Sequence, residues 1–178
     1  MKRYIPLLIC VLLLVGVIAR ALDVPYLSGH INDTAHMLSA DAVMDLEQRL
    51  TAYEDSTTNQ IVLLTIPALE GESLEDYALR VAETWNLGKK DVDNGVLLLI
   101  SRDDRKMRIE VGYGLEASVT DAISSHIIHD IITPLFRQGE FETGIREGME
   151  ALMRAADGTL SADDISTSDG NMEMAIFS

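Results

Sequence analysis

The sequence predicts an α/β protein, a three-layer α/β/α sandwich around a small mixed sheet with one βαβ unit and one hairpin. Three observations carry this. Two short apolar runs, NQIVLLTIP (59–67) and NGVLLLIS (94–101), are too short for buried helices and are bounded by turn residues, so they read as buried strands. Between them, ESLEDYALRVAETWNLG (72–88) repeats apolar residues at helical spacing. Strand, helix, strand is a right-handed βαβ unit with parallel strands. After Ser101 only RDDR (102–105) precedes the next strand, KMRIEVG. A link that short cannot make a parallel crossover, so the pair is an antiparallel hairpin.

Along the chain, MKR followed by YIPLLICVLLLVGVI and ARA reads as a signal peptide, residues 1–21. An uncleaved anchor is the alternative, although the apolar run is short of the ~20 residues that span a bilayer. Residues 22–30, with Pro25, Ser28 and Gly29, read as a linker. SADAVMDLEQRLTAYEDS (39–56) reads as a helix capped by Ser39, with Val43, Leu46, Leu50 and Tyr53 inward. In the helix of the βαβ unit, Ser73 and Asp76 form a capping-box-like start. Leu74, Tyr77, Ala78, Val81 and Trp85 make its apolar stripe, and Gly88 stands as its C′ residue. TDAISSHIIHDIITP (120–134) is predicted to end at Pro134, with His126 and His129 on its exposed face. FETGIREGMEALMRAA (141–156) is a last helix with Phe141, Ile145, Met149 and Leu152 inward. The domain is therefore expected over 31–156, with a disordered acidic tail at 157–178.

Charge narrows the function. The chain has 14 basic and 29 acidic residues; loss of residues 1–21 removes Lys2, Arg3 and Arg20 and leaves 11 basic residues and a formal charge of −18. Nucleic-acid binding runs on Lys and Arg at phosphates, so no nucleic acid is expected as a partner. An acidic exported protein suits divalent cations or basic partners, or simply a solvated surface. The single cysteine, Cys10, lies in the signal region, so the domain has no disulfide.

GYGLEA (112–117) fits the letters of a dinucleotide-binding turn. That fingerprint requires a parallel strand feeding a helix that returns to a third parallel strand. Here the preceding strand is the second arm of a hairpin and no strand follows, so no dinucleotide is expected. The hairpin instead brings Gly112 to Glu116 beside Asp93, Asn94 and Gly95, with Asp91 and Asp121 nearby and the glycines turning the backbone at positive φ. Such hard oxygen donors suit Ca²⁺ or Mg²⁺. The alternative is a strand-initiating turn at 93–95 and a helix-start charge at Asp121. RDDR at the opposite edge reads as a solvated turn. Asn32-Asp33-Thr34 is a glycosylation sequon.

Five stretches in order, INDTAHMLS, NQIVLLTIPALEGESLEDYALRVAETWNLG, DNGVLLLISRDDRKMRIEVGYGLE, TDAISSHII and FRQGEFETGI, resemble the TPM domain family, which includes YgcG-like bacterial proteins and a thylakoid-lumen acid phosphatase of plants. The resemblance runs from about Gly29 to Ala156, with Thr34 where the family usually has Tyr. It implies a Rossmann-like sandwich, export to the periplasm or outside the cell, and a Ca²⁺ site on Asp93, Asn94, Glu116 and Asp121, with Asp33 a further ligand. Two functions fit. One is a metal-dependent acid phosphatase, in which Asp121 orients water or completes the metal shell. The other is a non-catalytic accessory factor for a membrane-protein complex. Many bacterial members continue into a membrane helix; here an acidic tail stands instead, and no direct membrane span is expected in the mature chain.

Overall fold

The computed structural model describes residues 21–160. The signal-peptide reading falls outside the described residues apart from Ala21, as does the tail beyond Leu160. The elements are β1 (Ile31–Asp33), α1 (Ala40–Thr57), β2 (Gln60–Ile66), α2 (Leu74–Trp85), β3 (Gly95–Ser101), β4 (Lys106–Val111), α3 (Asp121–His126), α4 (Thr133–Arg137) and α5 (Phe141–Ala156). The sheet order is β1-β2-β3-β4. β1, β2 and β3 run parallel, and β4 is antiparallel to β3. This is the mixed α/β sandwich the sequence predicts, with one added strand. β1 is only three residues long, too short for a period-two pattern to show.

Alternation along the central strands divides two cores. Ile61, Leu63, Val96, Leu98 and Ile100 face α1, α3 and α5. Val62, Leu64, Ile66, Leu97 and Leu99 face α2. Each fully buried Leu or Ile contributes roughly 1.5–3 kcal/mol, so both faces are needed to hold a chain without disulfides. The helix caps form as the sequence indicates. Ser39 accepts from Ala42 N, Ser73 from Asp76 N and Thr120 from Ile123 N. α2 stops at Trp85, and Asn86 rather than Gly88 is its left-handed cap, with φ 52°.

Five expectations change. The stretch 22–30 is not a free linker. Leu22, Val24 and Leu27 pack on the second core, Trp85 Nε1 donates to Pro25 O at 2.8 Å, and Tyr77 Oη donates to Asp23 O at 3.2 Å. Burial pushes the Tyr77 hydroxyl up to about 12, so it stays a neutral donor. Pro134 does not end its helix either. A π segment, Ile127–Ile132, leads from α3 into α4, where Pro134 sits in the first turn and needs no N–H partner. His126 is turned inward, its side chain 11 % exposed and its Nδ1 2.9 Å from Asp130 Oδ2, while His129 stays exposed. Finally, the first residues of the predicted tail belong to the fold. Asp157 accepts from Tyr53 Oη at 2.7 Å and Leu160 is buried. Phe141 is 43 % exposed rather than inward and meets Phe136 edge-on.

One partly buried tie carries a pH dependence. Glu47 of α1 accepts from the backbone N–H groups of His30 and Ile31 and lies 2.9 Å from His30 Nδ1, while Glu54 lies 2.8 Å from Nε2. Burial raises the Glu47 carboxyl, and the hydrogen bonds from His30 and Ile31 outweigh it, leaving it below its ordinary 4.5. A depressed folded value means a contribution that is complete above pH 4.5 and lost as pH falls through the folded value. Glu47→Gln should therefore cost up to about 1 kcal/mol near pH 7, given the partial exposure of the carboxyl, and progressively less as the solution is acidified, read by urea unfolding across an acid pH series.

Candidate functional site

The register places the starts of β2 and β3 and the end of β4 at one edge of the sheet, with Gln60 opposite Gly95 and Val96 opposite Val111. Two loops close over this amino edge. Gly112 N donates to Gly95 O at 2.8 Å, and Gly114 N to Asp93 O at 2.9 Å. Asp93 Oδ2 accepts from Tyr113 N at 3.0 Å, tying the two loops side chain to backbone. Buried Leu115 and Val119 then anchor the second loop before α3.

The glycines do not turn at positive φ. Gly112 has φ −69° and Gly114 is not among the positive-φ residues; Asp91 (φ 73°) and Asp93 (φ 53°) are. What the glycines supply is clearance. An added Cβ at Gly112 would come under 3.0 Å from Asp93 O, and one at Gly114 under 3.0 Å from Val92 O.

The acidic residues separate into three settings. Glu116 and Asp121 face one polar recess of about 430 Å³, together with Arg108, Glu110, Thr120 and Ser124. Asp93 faces a neighbouring recess of about 400 Å³ beside Asn86, Glu110 and Gly112. Asn94 is spent within the fold. It is buried, its Oδ1 accepts from Lys89 N at 2.8 Å, and its Nδ2 donates to Thr58 O at 2.6 Å and Asn59 Oδ1 at 3.2 Å. Asp33 is at the opposite edge, at the carboxyl end of β1. It accepts from Met37 N, Leu38 N and Thr65 Oγ1, fixing the loop after β1. The structure therefore brings Glu116 and Asp121 together, leaves Asp93 one recess away and does not bring Asp33 to this rim. Among the described residues no three His, Cys, Asp or Glu side chains converge as a ready-made metal cage.

Hard oxygen donors in the first recess, the carboxylates of Glu116 and Asp121 and two hydroxyls, beside a third carboxylate, Glu110, that is paired with Arg108, fit Ca²⁺ or Mg²⁺ with water completing the shell. Arg108 and Glu110, whose side chains pair at 2.7 Å, are the members that the sequence reading did not single out. Their signal was available: they stand two apart on a six-residue strand and so share one face.

At the other edge, residues 102–105 form the exposed turn the sequence predicts, and its side chains also bond within the fold. Asp104 Oδ2 accepts from Ser101 Oγ at 2.5 Å and Leu69 N at 2.7 Å, which holds its carboxyl below the usual range and ties down the loop after β2. In the sequon, Asn32 is buried and its Nδ2 donates to Gly29 O and Leu63 O, so the folded chain does not offer that amide for modification.

A model of the TPM domain family matches residues 31–155. Among solved structures, the N-terminal domain of a protein from P. gingivalis is 36 % identical with TM-score 0.67, the match covering 73 % of this chain and 83 % of that one. The BA42 protein of Bizionia argentinensis is 22 % identical with TM-score 0.59, over 71 % and 88 % of the two chains. The N-terminal domain of cg2496 from Corynebacterium glutamicum is 12 % identical with TM-score 0.57, over 80 % and 91 %. The last two are likenesses of fold. No curated protein matches the chain.

Proposed function

Because this chain belongs to the TPM domain family, we propose that it is an exported domain that binds a divalent cation, Ca²⁺ or Mg²⁺, at its amino edge and hydrolyses phosphomonoesters there. The observation that supports this is the polar recess in which Glu116 and Asp121 share a wall with Arg108. Glu116 and Asp121 would hold the cation. A bound divalent cation supplies Lewis acidity and a more acidic water. Asp121 also orients the attacking water as a hydrogen-bond acceptor. Arg108 offers a guanidinium to a phosphoryl oxygen, and Glu110 keeps that guanidinium in place. Asn94 and Asp33 take no part as ligands, since both are engaged elsewhere in the fold.

A second reading has its own observation. Tyr113 is 79 % exposed and Val92 51 % exposed, and both stand on the rim loops. Apolar side chains beside a cation-fixed loop suit docking onto a membrane-protein complex without chemistry. No helix among the described residues is long and apolar enough to cross a membrane.

Calorimetry and turnover separate the two. Glu116→Gln and Asp121→Asn should each weaken Ca²⁺ binding at least tenfold, with melting temperatures near that of the parent because both residues are exposed. Hydrolysis of p-nitrophenyl phosphate should vanish with chelator and fall in Arg108→Ala without loss of Ca²⁺ binding. Ca²⁺ binding with no metal-dependent turnover in the parent would leave the docking reading. Unchanged Ca²⁺ binding in both carboxylate variants would remove the site assignment.

A further inference from the structure

At the edge opposite the acidic rim lies a cleft of about 500 Å³ between the β3–β4 turn, α4 and the loop after β1. Its charge is the reverse of the molecule's. Arg102, Arg105, Lys106 and Arg137 line it and no carboxylate does. Those are four of the 11 basic residues after residue 21, against 29 acidic ones. Arg102 is committed, bonded to Ala35 O and paired with Asp103. Arg105, Lys106 and Arg137 have no carboxylate partner among the described residues. Lys89, Lys90 and Arg154 likewise have no carboxylate partner among the described residues but do not line the cleft, whereas these three share one concavity.

The floor is apolar. Phe136 and Phe141 meet edge-on at 5.2 Å, and Met37 and Met107 complete the surface. Phe141 is 43 % exposed here although it stands in the apolar stripe of its helix. Thioether and aromatic side chains make an adaptable surface for a flat or flexible apolar body. The cleft also sits at the carboxyl ends of the parallel strands, the side on which open α/β sheets commonly bind ligands.

We propose that this cleft binds a small amphiphilic oxyanion, an organic carboxylate or phosphonate-like group on an apolar body that fits within about 500 Å³. The oxyanion is held by Arg105, Lys106 and Arg137, with the guanidinium groups giving paired N–H donors. The apolar body lies on Phe136, Phe141 and the two methionines. This site is separate from the cation rim, so its failure leaves the rim reading standing and the converse also holds.

The described residues contain the four-stranded sheet and both cores, so the protein from Ala21 to Ser178 serves for the test. It is titrated in cation-free buffer with phenylphosphonate and phenylacetate, and with inorganic phosphate and benzyl alcohol as the separate halves, followed by ¹H–¹⁵N NMR. Amide shifts should map to Ser101–Met107 and Thr133–Phe141, with each half binding at least tenfold more weakly than the whole. The exposed pair Arg105→Glu/Lys106→Glu should lower affinity at least tenfold with the remaining spectrum unchanged; Phe136→Leu should lower it without charge change. Shifts elsewhere, or binding indifferent to the charge reversal, would overturn the proposal. So would binding to phosphatidylglycerol vesicles without binding of the soluble probes, which points to a lipid surface. Binding only after deletion of the acidic residues 161–178 would overturn it in favour of the chain's own tail.

Discussion

Gly114→Ala should destabilise the protein by about 2–3 kcal/mol, the upper part of the ~1–3 kcal/mol range for forcing extra carbon into packed surroundings. The new Cβ would come under 3.0 Å from Val92 O, with Asp93 O also close at 3.1 Å. Both are backbone atoms, which have no rotamer to yield. The chain must therefore open the junction between the two rim loops, breaking the Gly114 N to Asp93 O bond and loosening the Tyr113 N to Asp93 Oδ2 bond. Glu116 follows within two residues, so Ca²⁺ affinity should fall as well, although Gly114 offers no side chain to a cation. Gly139→Ala supplies the control. It has φ +84° with nothing within 4 Å of the added carbon, so it carries backbone strain alone, about 1 kcal/mol, and should leave the rim intact. Denaturant unfolding and Ca²⁺ calorimetry on the two variants read this difference. A Gly114→Ala protein as stable as the parent would mean that the loops have slack, and the rim would lose its claim to be a fixed site.

The scaffold was legible because its signals are long-range in consequence but local in sequence. Apolar runs at 60–66 and 95–101, with a helix between them, force parallel pairing; four residues after Ser101 force a hairpin. From those two rules it follows that Gly112 lies against Gly95, as the 2.8 Å bond confirms. What stayed hidden depends on partners far along the chain. The strap at 22–30 carries Pro25, Ser28 and Gly29, the composition of a linker, and its engagement shows only when Trp85 and Tyr77 reach across to it. Pro134 reads as a stop because the π segment before it leaves no pattern in the sequence. For the site, spacing placed Glu116 and Asp121 on one rim. It could not reveal which way each carboxylate opens, and Asp93 turns to a separate recess. Asp33 is an instance of a residue assigned by resemblance whose own hydrogen bonds give it a local task, capping the N–H groups of Met37 and Leu38.

Charge on the folded molecule is sorted in a way that composition hides. The net negative charge suggests a uniformly acidic surface, yet carboxylates line the recess beside the end of β4, and three of the unpaired cations line the cleft where β3 turns into β4. Seven strand residues at ~3.3 Å each put roughly 20 Å between the two edges, beyond a Debye length at physiological salt. At that separation the charge at one edge is largely screened from the other.

Asn94 gives the second large effect, and the direction of one substitution decides its role. It sits beside Asp93 in the sequence, where a Ca²⁺ loop would place an oxygen ligand. A ligand position gains from Asn→Asp, because a carboxylate binds Ca²⁺ more strongly than an amide. A fold-fixing position loses. Nδ2 of Asn94 donates to Thr58 O at 2.6 Å and to Asn59 Oδ1 at 3.2 Å, while Oδ1 accepts from Lys89 N at 2.8 Å. Asn94→Asp keeps the acceptor but turns the donor into a second oxygen facing the Thr58 carbonyl, which cannot flip. Since the residue is 2 % exposed, the new charge is also desolvated. Asn94→Ala removes both sides, and the bonds to Lys89 N–H, Thr58 C=O and Asn59 Oδ1, all part-buried, are lost at about 0.5–1.5 kcal/mol each. Both variants should thus unfold at markedly lower urea, by about 2–4 kcal/mol, and Asn94→Asp should bind Ca²⁺ no more tightly than the parent. Tighter Ca²⁺ binding with stability retained would return Asn94 to the cation shell. The loss expected here makes it instead the peg that holds the start of β3 to the end of α1, on which the position of Asp93, and through it the whole rim, depends.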